Sequence, residues 1–228
     1  MTLPLIYLPG MMCDARLFGP QITALGGTAP LSAQDSTMQA MAAQLLPQLP
    51  DRFALIGLSM GGILAMELIR QAPGRVDRVA LLDTNPLAET EEVKARRGPQ
   101  IDRVRAGKLA EVMRDEMKPH YMADGPNRAA LLDLCMDMAL GLGPDVFVNQ
   151  SCALRDRPDQ CDTLRSFGGP ALVLCGREDR LCPLHRHTLM QELLPNATLS
   201  VIDGAGHLPT LEKPTETTQA LCHWLERP

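Results

Sequence analysis

Ser59 stands in Gly57-Leu58-Ser59-Met60-Gly61, a serine flanked at two positions on either side by glycine. The apolar run Phe53–Gly57 precedes it and a helix-length segment, Ile63–Arg70, follows, so the motif falls on a sharp strand-to-helix turn. The glycines remove Cβ atoms where strand and helix crowd together, which lets the serine hold a strained backbone with its hydroxyl exposed. A helix start directly after it supplies free N–H groups and positive dipole character beside that hydroxyl. The chemistry this arrangement suits is nucleophilic attack on a carbonyl.

A serine hydroxyl attacks only when a base takes its proton. Of the five histidines, His207 is the candidate base, because Asp203-Gly204-Ala205-Gly206-His207 follows an apolar run and its glycines let a loop fold over a sheet edge. His120 falls in a helical insertion, His185 and His187 at the start of a helix, and His223 in the last helix. A carboxylate must then hold the imidazole in the right tautomer. Asp179, in Gly176-Arg177-Glu178-Asp179 after another apolar run, is the first choice; Glu178 and Asp83 are the alternatives, and Asp179 could also cap a helix before Leu181.

Charge building on the carbonyl oxygen calls for two backbone N–H donors. Met60, directly after the serine, is one; Met11, in the loop Leu8-Pro9-Gly10-Met11-Met12-Cys13, is the other. Met11, Met12 and Leu208 are the candidate substrate-binding side chains. Cys13 and Cys182 lie close in sequence to these segments, but free cysteine more often serves as a small apolar residue.

These residues need a scaffold. Leu3–Leu8, Phe53–Gly57, Val79–Leu82, Ala171–Cys175 and Leu199–Ile202 are short continuous apolar runs, the pattern of parallel strands covered on both faces by helices, with Thr28–Ser32 as a weaker strand. Ser36–Leu49 reads as a crossover helix, and Thr215–Leu225 as a last helix packing through Thr218, Leu221, Cys222 and Leu225. The stretch from Leu82 to Ala171 is too long for a simple crossover and rich in helix formers. It divides the chain into a core of residues 1–86 and 168–228 and a helical lid over 87–167. The lid's methionines suit ordinary packing or an adaptable apolar pocket. Its Arg96, Arg97, Arg103 and Arg105 form either a solvated face or a carboxylate site.

The 228 residues carry a formal net charge of -5, and aromatics are only 3%, so neither the charge nor the stacking surface for nucleic acid is present. No apolar stretch is long enough to span a membrane, and the first residues lack a basic region and small-residue cleavage site, so a cytoplasmic chain without membrane association is expected. Seven scattered cysteines without C-x-x-C pairs fit reduced thiols and give no metal motif. No metal or organic cofactor is implied; the expected partner is a small-molecule substrate.

With Leu8-Pro9-Gly10, Gly57-Leu58-Ser59-Met60-Gly61-Gly62, Gly176-Arg177-Glu178-Asp179, Gly206-His207 and Glu212-Lys213-Pro214 in this order, the chain resembles the α/β-hydrolase superfamily, in particular small lid-bearing bacterial serine esterases and lactonases. The resemblance implies Ser59 as nucleophile, Asp179 as acid, His207 as base and the Met11 and Met60 amides as oxyanion hole. It implies a mostly parallel sheet of about six strands flanked by helices, since the chain starts at what resembles the third strand. Two departures stand out. Pro9 replaces the histidine many relatives carry before Gly10, and the D-x-x-G-x-G-x-S loop is missing near Asp35. The implied activity is hydrolysis of a small or medium carboxylic ester through an acyl-enzyme. Lactone (including enol-lactone), thioester and carbon–carbon bond hydrolysis use the same parts, and a triad-using lyase or acyltransferase, or a ligand-binding protein without turnover, are the readings from other classes.

Overall fold

The computed structural model describes residues 3–30 and 35–227. Five strands, β1 (Leu5–Leu8), β2 (Phe53–Leu58), β3 (Val76–Leu82), β4 (Ala171–Gly176) and β5 (Ala197–Ile202), form one sheet in the order β1-β2-β3-β4-β5. All neighbours pair in parallel, with Leu5 opposite Ala54, Val79 opposite Ala171 and Ala171 opposite Ala197 in successive ladders. Parallel pairing requires every connection to cross over, and it brings the carboxyl ends of all five strands to one edge.

About six strands were expected. The sixth position, beside β1, is held only by a parallel bridge between Thr28 and Ile6, with Tyr7 N–H donating to Thr28 O at 2.9 Å. The expected Thr28–Ser32 strand is therefore reduced to one bridge, and residues 31 and 32 lie outside the described residues. Strands β1, β2 and β4 are buried throughout, as continuous apolar runs predict. The edge strand β5 departs from that pattern, since only Ile202 in it is fully buried.

The crossover helix runs over Met38–Leu45, started by Thr37, whose hydroxyl accepts from Ala40 N–H at 3.1 Å, and buries Met38, Met41, Ala42 and Leu45. The helix Met60–Gln71 is apolar nearly all round and lies within the main core. The last helix, Pro214–Leu225, is rotated from the expected face. It buries Thr217, Leu221 and Trp224, because the Trp224 indole turns inward to donate to Pro170 O at 3.1 Å.

Between β3 and β4 the chain forms helices Glu91–Arg105, Leu109–Val112, Arg128–Leu142 and Pro144–Arg155. The excursion has a closed neck, where Gln160 N–H donates to Pro86 O at 2.8 Å. Gln160 also reaches back to the core, its amide donating to Glu67 in the Met60–Gln71 helix at 2.8 Å. The short helix Cys161–Ser166 thus packs with the sheet-flanking layer, so the excursion ends nearer residue 159 than the expected 167. Its apolar residues Leu109, Val112, Met113 and Met138 are buried in packing.

Candidate active site

Strain collects at the carboxyl edge of the sheet. The described non-glycine residues with positive φ are Met12 (56°), Ser59 (54°) and Asp83 (43°), which follow β1, β2 and β3. Such conformations cost about 1–3 kcal/mol each and persist only where neighbours enforce them. At Ser59 they do. Its N–H donates to Leu82 O at 2.9 Å, and its own carbonyl accepts from the Thr84 hydroxyl at 2.7 Å and Gly62 N–H at 2.9 Å. The two flanking glycines are required by close approach. A Cβ on Gly57 would come within 2.5 Å of Gly61 O, and one on Gly61 within 1.8 Å of Leu8 O.

The loop after β1 touches this turn, with the Gly10 Cβ position 3.4 Å from Ser59 Cβ. Cys13 N–H donates to Gly10 O at 3.1 Å, closing a turn whose central residues are Met11 and Met12. Met11 therefore lies beside Ser59 and lines a cavity of about 470 Å³ together with Ser59, His207 and Leu208. Met12 does not line it. Its left-handed backbone turns the side chain into the core, and its N–H is taken by Gln150 Oε1 at 2.8 Å, which corrects its assignment as a substrate-binding residue. Met60 opens the helix after Ser59, where its N–H belongs to the unpaired first turn.

His207 and Asp179 meet as a pair. His207 Nδ1 is 2.8 Å from Asp179 Oδ2, while Asp179 Oδ1 accepts from Leu181 N–H at 2.8 Å and Cys182 N–H at 3.0 Å. These amides make a turn around the carboxylate rather than a helix cap, since the next helix begins at Leu184. Burial by itself would raise the Asp179 carboxyl, but the neighbouring His207 and the two amides outweigh it and hold it below its ordinary value. With Nδ1 committed to Asp179, Nε2 is the nitrogen left for Ser59.

Further side chains hold the His207 loop. Glu212 accepts from Gly206 N–H (2.9 Å), Leu208 N–H (3.0 Å) and Ala123 N–H (2.8 Å). His207 N–H donates to Tyr121 O at 2.8 Å, and the Tyr121 and His207 ring centroids are 6.2 Å apart. The insertion between β3 and β4 is thereby fastened directly to the loop that carries His207. A Cβ on Gly206 would lie 2.6 Å from Ala123 N, so only glycine permits this contact.

The alternative acids fall elsewhere. Glu178 contacts Gly204 N–H at 3.3 Å on the surface. Asp83 is fully buried behind the pair, its Oδ1 accepting from Gly176 N–H at 2.9 Å. Burial, then the charge of Asp179, pushes its carboxyl well above the ordinary value. His187 is buried too and accepts from Thr84 N–H at 3.2 Å; burial pushes it down to about 4, so it is a neutral structural imidazole. His120 and His223 are outside the cavity lining.

Cys13 and Cys182 line the cavity, yet burial raises both thiols well above their ordinary value, away from the reactive thiolate. Asp179, Cys182 and His207 have donor atoms within 4.8 Å of one another, the spacing of a metal site. Both Asp179 oxygens already accept hydrogen bonds, so the arrangement fits an acid–imidazole pair better than a cage.

Sequence reasoning did not single out Glu212, Gln150 or Thr84 as supports. Glu212 follows His207 by a short loop and was within reach as the Glu-Lys-Pro signal. Gln150 is 138 residues from the amide it holds, and no local pattern marks it. The cavity arginines Arg157, Arg180 and Arg186 were also missed, whereas Arg96 and Arg97 face the cavity. Arg103 pairs instead with Glu116 and Glu111 away from it, and Arg105 is exposed.

A family model described as the alpha/beta hydrolase family matches residues 12–220. The pimeloyl-[acyl-carrier protein] methyl ester esterase of Aromatoleum aromaticum is 29% identical over 230 residues, spanning 92% of this chain and 86% of that one. A thermophilic esterase from Thermogutta terrifontis, solved with malate bound, superposes with a TM-score of 0.90 at 28% identity, covering 99% of this chain and 90% of its own. The enol-lactonase of Burkholderia xenovorans LB400 shares the fold with a TM-score of 0.87 at 18% identity, covering 100% and 92%. Taken with the strained serine turn and the acid–histidine pair at one sheet edge, the match over nearly the whole chain means that this protein belongs to the alpha/beta hydrolase family.

Proposed function

We propose that Ser59, His207 and Asp179 are the catalytic triad of a carboxylic-ester hydrolase that works through an acyl-enzyme, with the Met11 and Met60 amides as its oxyanion hole. The observation that carries this reading is the His207 Nδ1–Asp179 Oδ2 contact of 2.8 Å, in a cavity that Ser59 also lines. With Nδ1 protonated and facing Asp179, Nε2 takes the Ser59 proton as Oγ attacks the ester carbonyl. The oxyanion that forms lies toward the start of the Met60–Gln71 helix and the Met11 amide. His207 then gives its proton to the departing alcohol, which leaves the acyl group on Ser59, and water attacks by the same route in reverse order. The reading requires Ser59 Oγ and His207 Nε2 to come within hydrogen-bond reach once substrate fills the cavity.

The substrates are small-molecule esters, in keeping with the esterases among the similar proteins. A cavity of about 470 Å³ matches a small or medium acyl group. The insertion from residue 87 to about 159 acts as a lid, since Tyr121 and Met117 contribute to the cavity wall. Among the described residues no helix is long and apolar enough to cross a membrane.

Labelling with a fluorophosphonate, read by peptide mass spectrometry on the native protein and Ser59→Ala, tests the assignment. Modification confined to Ser59 supports it. A folded native protein that stays unlabelled, and that hydrolyses no p-nitrophenyl acetate, overturns it.

A further inference from the structure

The charge around the cavity narrows the substrate, given the ester-hydrolase reading above. Five arginines line the cavity, Arg96, Arg97, Arg157, Arg180 and Arg186, against a single carboxylate, Glu89, in a chain whose formal net charge is -5. Arg96 is accounted for by its exposed pair with Glu92. The others are not balanced.

Arg97 Nε donates to Glu89 Oε2 at 2.6 Å and Arg157 Nη1 to Glu89 Oε1 at 2.7 Å. The Arg97, Arg157 and Glu89 side chains are only 12%, 7% and 5% exposed. One carboxylate thus serves two buried guanidiniums and leaves one positive charge uncompensated at low dielectric, an arrangement that costs free energy unless a counter-charge is supplied. Burial accordingly lowers the proton affinity of the Arg157 guanidinium despite Glu89, with Arg97 adding to the effect. Arg186 has only the neutral Asn85 Oδ1, at 3.3 Å. The Arg180 guanidinium has no partner among the described residues.

Met11, Leu58, Ile63 and Leu208 give apolar wall to the cavity that Ser59 and His207 also line. The same cavity thus offers apolar surface to an acyl chain and guanidiniums to an anion. We propose that the substrate is an ester whose acyl part carries a carboxylate, a half-ester of a dicarboxylic acid, with the free carboxylate paired to Arg186 and the Arg97–Glu89–Arg157 group. The carboxylate supplies the missing counter-charge, and its planar pair of oxygens matches the guanidinium fork. An anion on the alcohol side, such as a phosphate, would draw on the same guanidiniums, so the assay separates the two.

The experiment compares kcat/KM for matched ester pairs. Monomethyl glutarate is set against methyl butyrate, and 1-acetylglycerol 3-phosphate against 1-acetylglycerol. A charged hydrogen bond gained only by the anionic member gives a preference of about tenfold or more. The expected result is that preference for monomethyl glutarate, falling severalfold in Arg186→Gln and toward parity in Arg97→Gln/Arg186→Gln, which leaves Glu89 and Arg157 as a balanced pair, but retained in Arg105→Gln, which alters an exposed arginine outside the cavity. Because the readout is a ratio within each variant, partial loss of folded protein does not mimic it. Glutarate, which has no bond to cleave, should compete with methyl butyrate, and more weakly in Arg186→Gln. Equal rates for the glutarate pair, a preference that survives both arginine variants, or a preference confined to the phosphate pair overturns the proposal while leaving the ester hydrolase in place. Failure to hydrolyse any of the four esters, together with no fluorophosphonate labelling, overturns the hydrolase reading instead.

Discussion

Asp179 grips His207 with one carboxylate oxygen, at 2.8 Å, while two backbone amides hold its other oxygen in place. This division of labour makes Asp179→Asn informative. The Leu181 and Cys182 amides demand an acceptor, so the asparagine oxygen takes the Oδ1 position and its NH2 faces His207 Nδ1. The ring answers by moving its proton to Nε2, the nitrogen that must accept from Ser59. A wrong tautomer costs on the order of 10³–10⁴ in turnover with the site otherwise intact. Steady-state kinetics on an ester should show kcat falling by that factor, KM changing less than about threefold, and an unaltered melting profile. A loss below about tenfold would remove Asp179 from the triad.

Glu212 holds the His207 loop in place. It accepts from amides on both sides of His207 and from Ala123 in the insertion, so truncation frees three donors, those of Gly206 and Leu208 on buried residues. Glu212→Ala should cost about 3 kcal/mol or more of stability. Glu212→Gln keeps an oxygen for Gly206 and Ala123 but turns an N–H toward Leu208, and should cost about 1–2 kcal/mol. In a folded Glu212→Gln protein, fluorophosphonate labelling of Ser59 should slow about tenfold, and amide exchange at residues 206–208 should quicken. Labelling at the native rate would show that the loop holds its geometry without this clamp.

The placement of Ser59, Asp179 and His207 at one sheet edge was legible in the sequence because its geometry is local. The glycines around Ser59 record a backbone crossing that a Cβ would block, and Asp179 and His207 each follow an apolar strand by a few residues. Burial and the parallel pattern were legible for the same reason in β1, β2 and β4. What was not legible is set by contacts between distant segments. Met12 was placed in the pocket because neither its left-handed φ nor the Gln150 side chain that takes its amide leaves a local trace. Trp224, not Cys222, faces inward because Pro170 offers a carbonyl to the indole. The insertion's end moved from 167 to near 159 because Gln160 ties to Pro86 and Glu67, contacts that helix periodicity does not encode. The arginines of the cavity come from three segments, and only folding brings them together.

Asp83 should make stability depend on pH in a window of its own. Its carboxyl is buried, has one oxygen without a hydrogen-bond partner, and is raised well above the ordinary value by burial and by Asp179. From the unfolded value near 4 up to the folded value, the native state keeps the proton that the unfolded state releases, so stability falls as pH rises through that window. Asp179 acts in the opposite sense and lower down. Its lowered value adds stability that is complete above about pH 4 and is lost as pH falls through the folded value. Asp83→Asn keeps the acceptor for Gly176 N–H and removes the titration. Urea unfolding at pH 5 and pH 8 should therefore show the variant gaining on the native protein at the higher pH. An equal difference at both would mean that Asp83 is ionised in the folded state.

Two glycine-to-alanine changes should move stability in opposite directions, and the contrast tests whether close approach is what the serine turn requires. At Gly61 the added methyl would lie 1.8 Å from Leu8 O and 2.8 Å from Pro9 O, both backbone atoms that no rotamer change can clear. The Met60–Gln71 helix must then shift away from β1, carrying the Met60 amide and Ser59 with it. We expect a loss of about 3 kcal/mol or more, a fall in Tm of roughly 6–12 °C for a chain of this size, and loss of fluorophosphonate labelling even where the protein remains folded. At Gly141, in the Arg128–Leu142 helix, nothing lies within 4 Å of the new methyl, and alanine should raise stability by about 0.5–1 kcal/mol with labelling unaffected. Equal tolerance at both positions would mean that the glycine after the serine answers only a loose preference for small residues, and that the Met60 amide is held by some other contact.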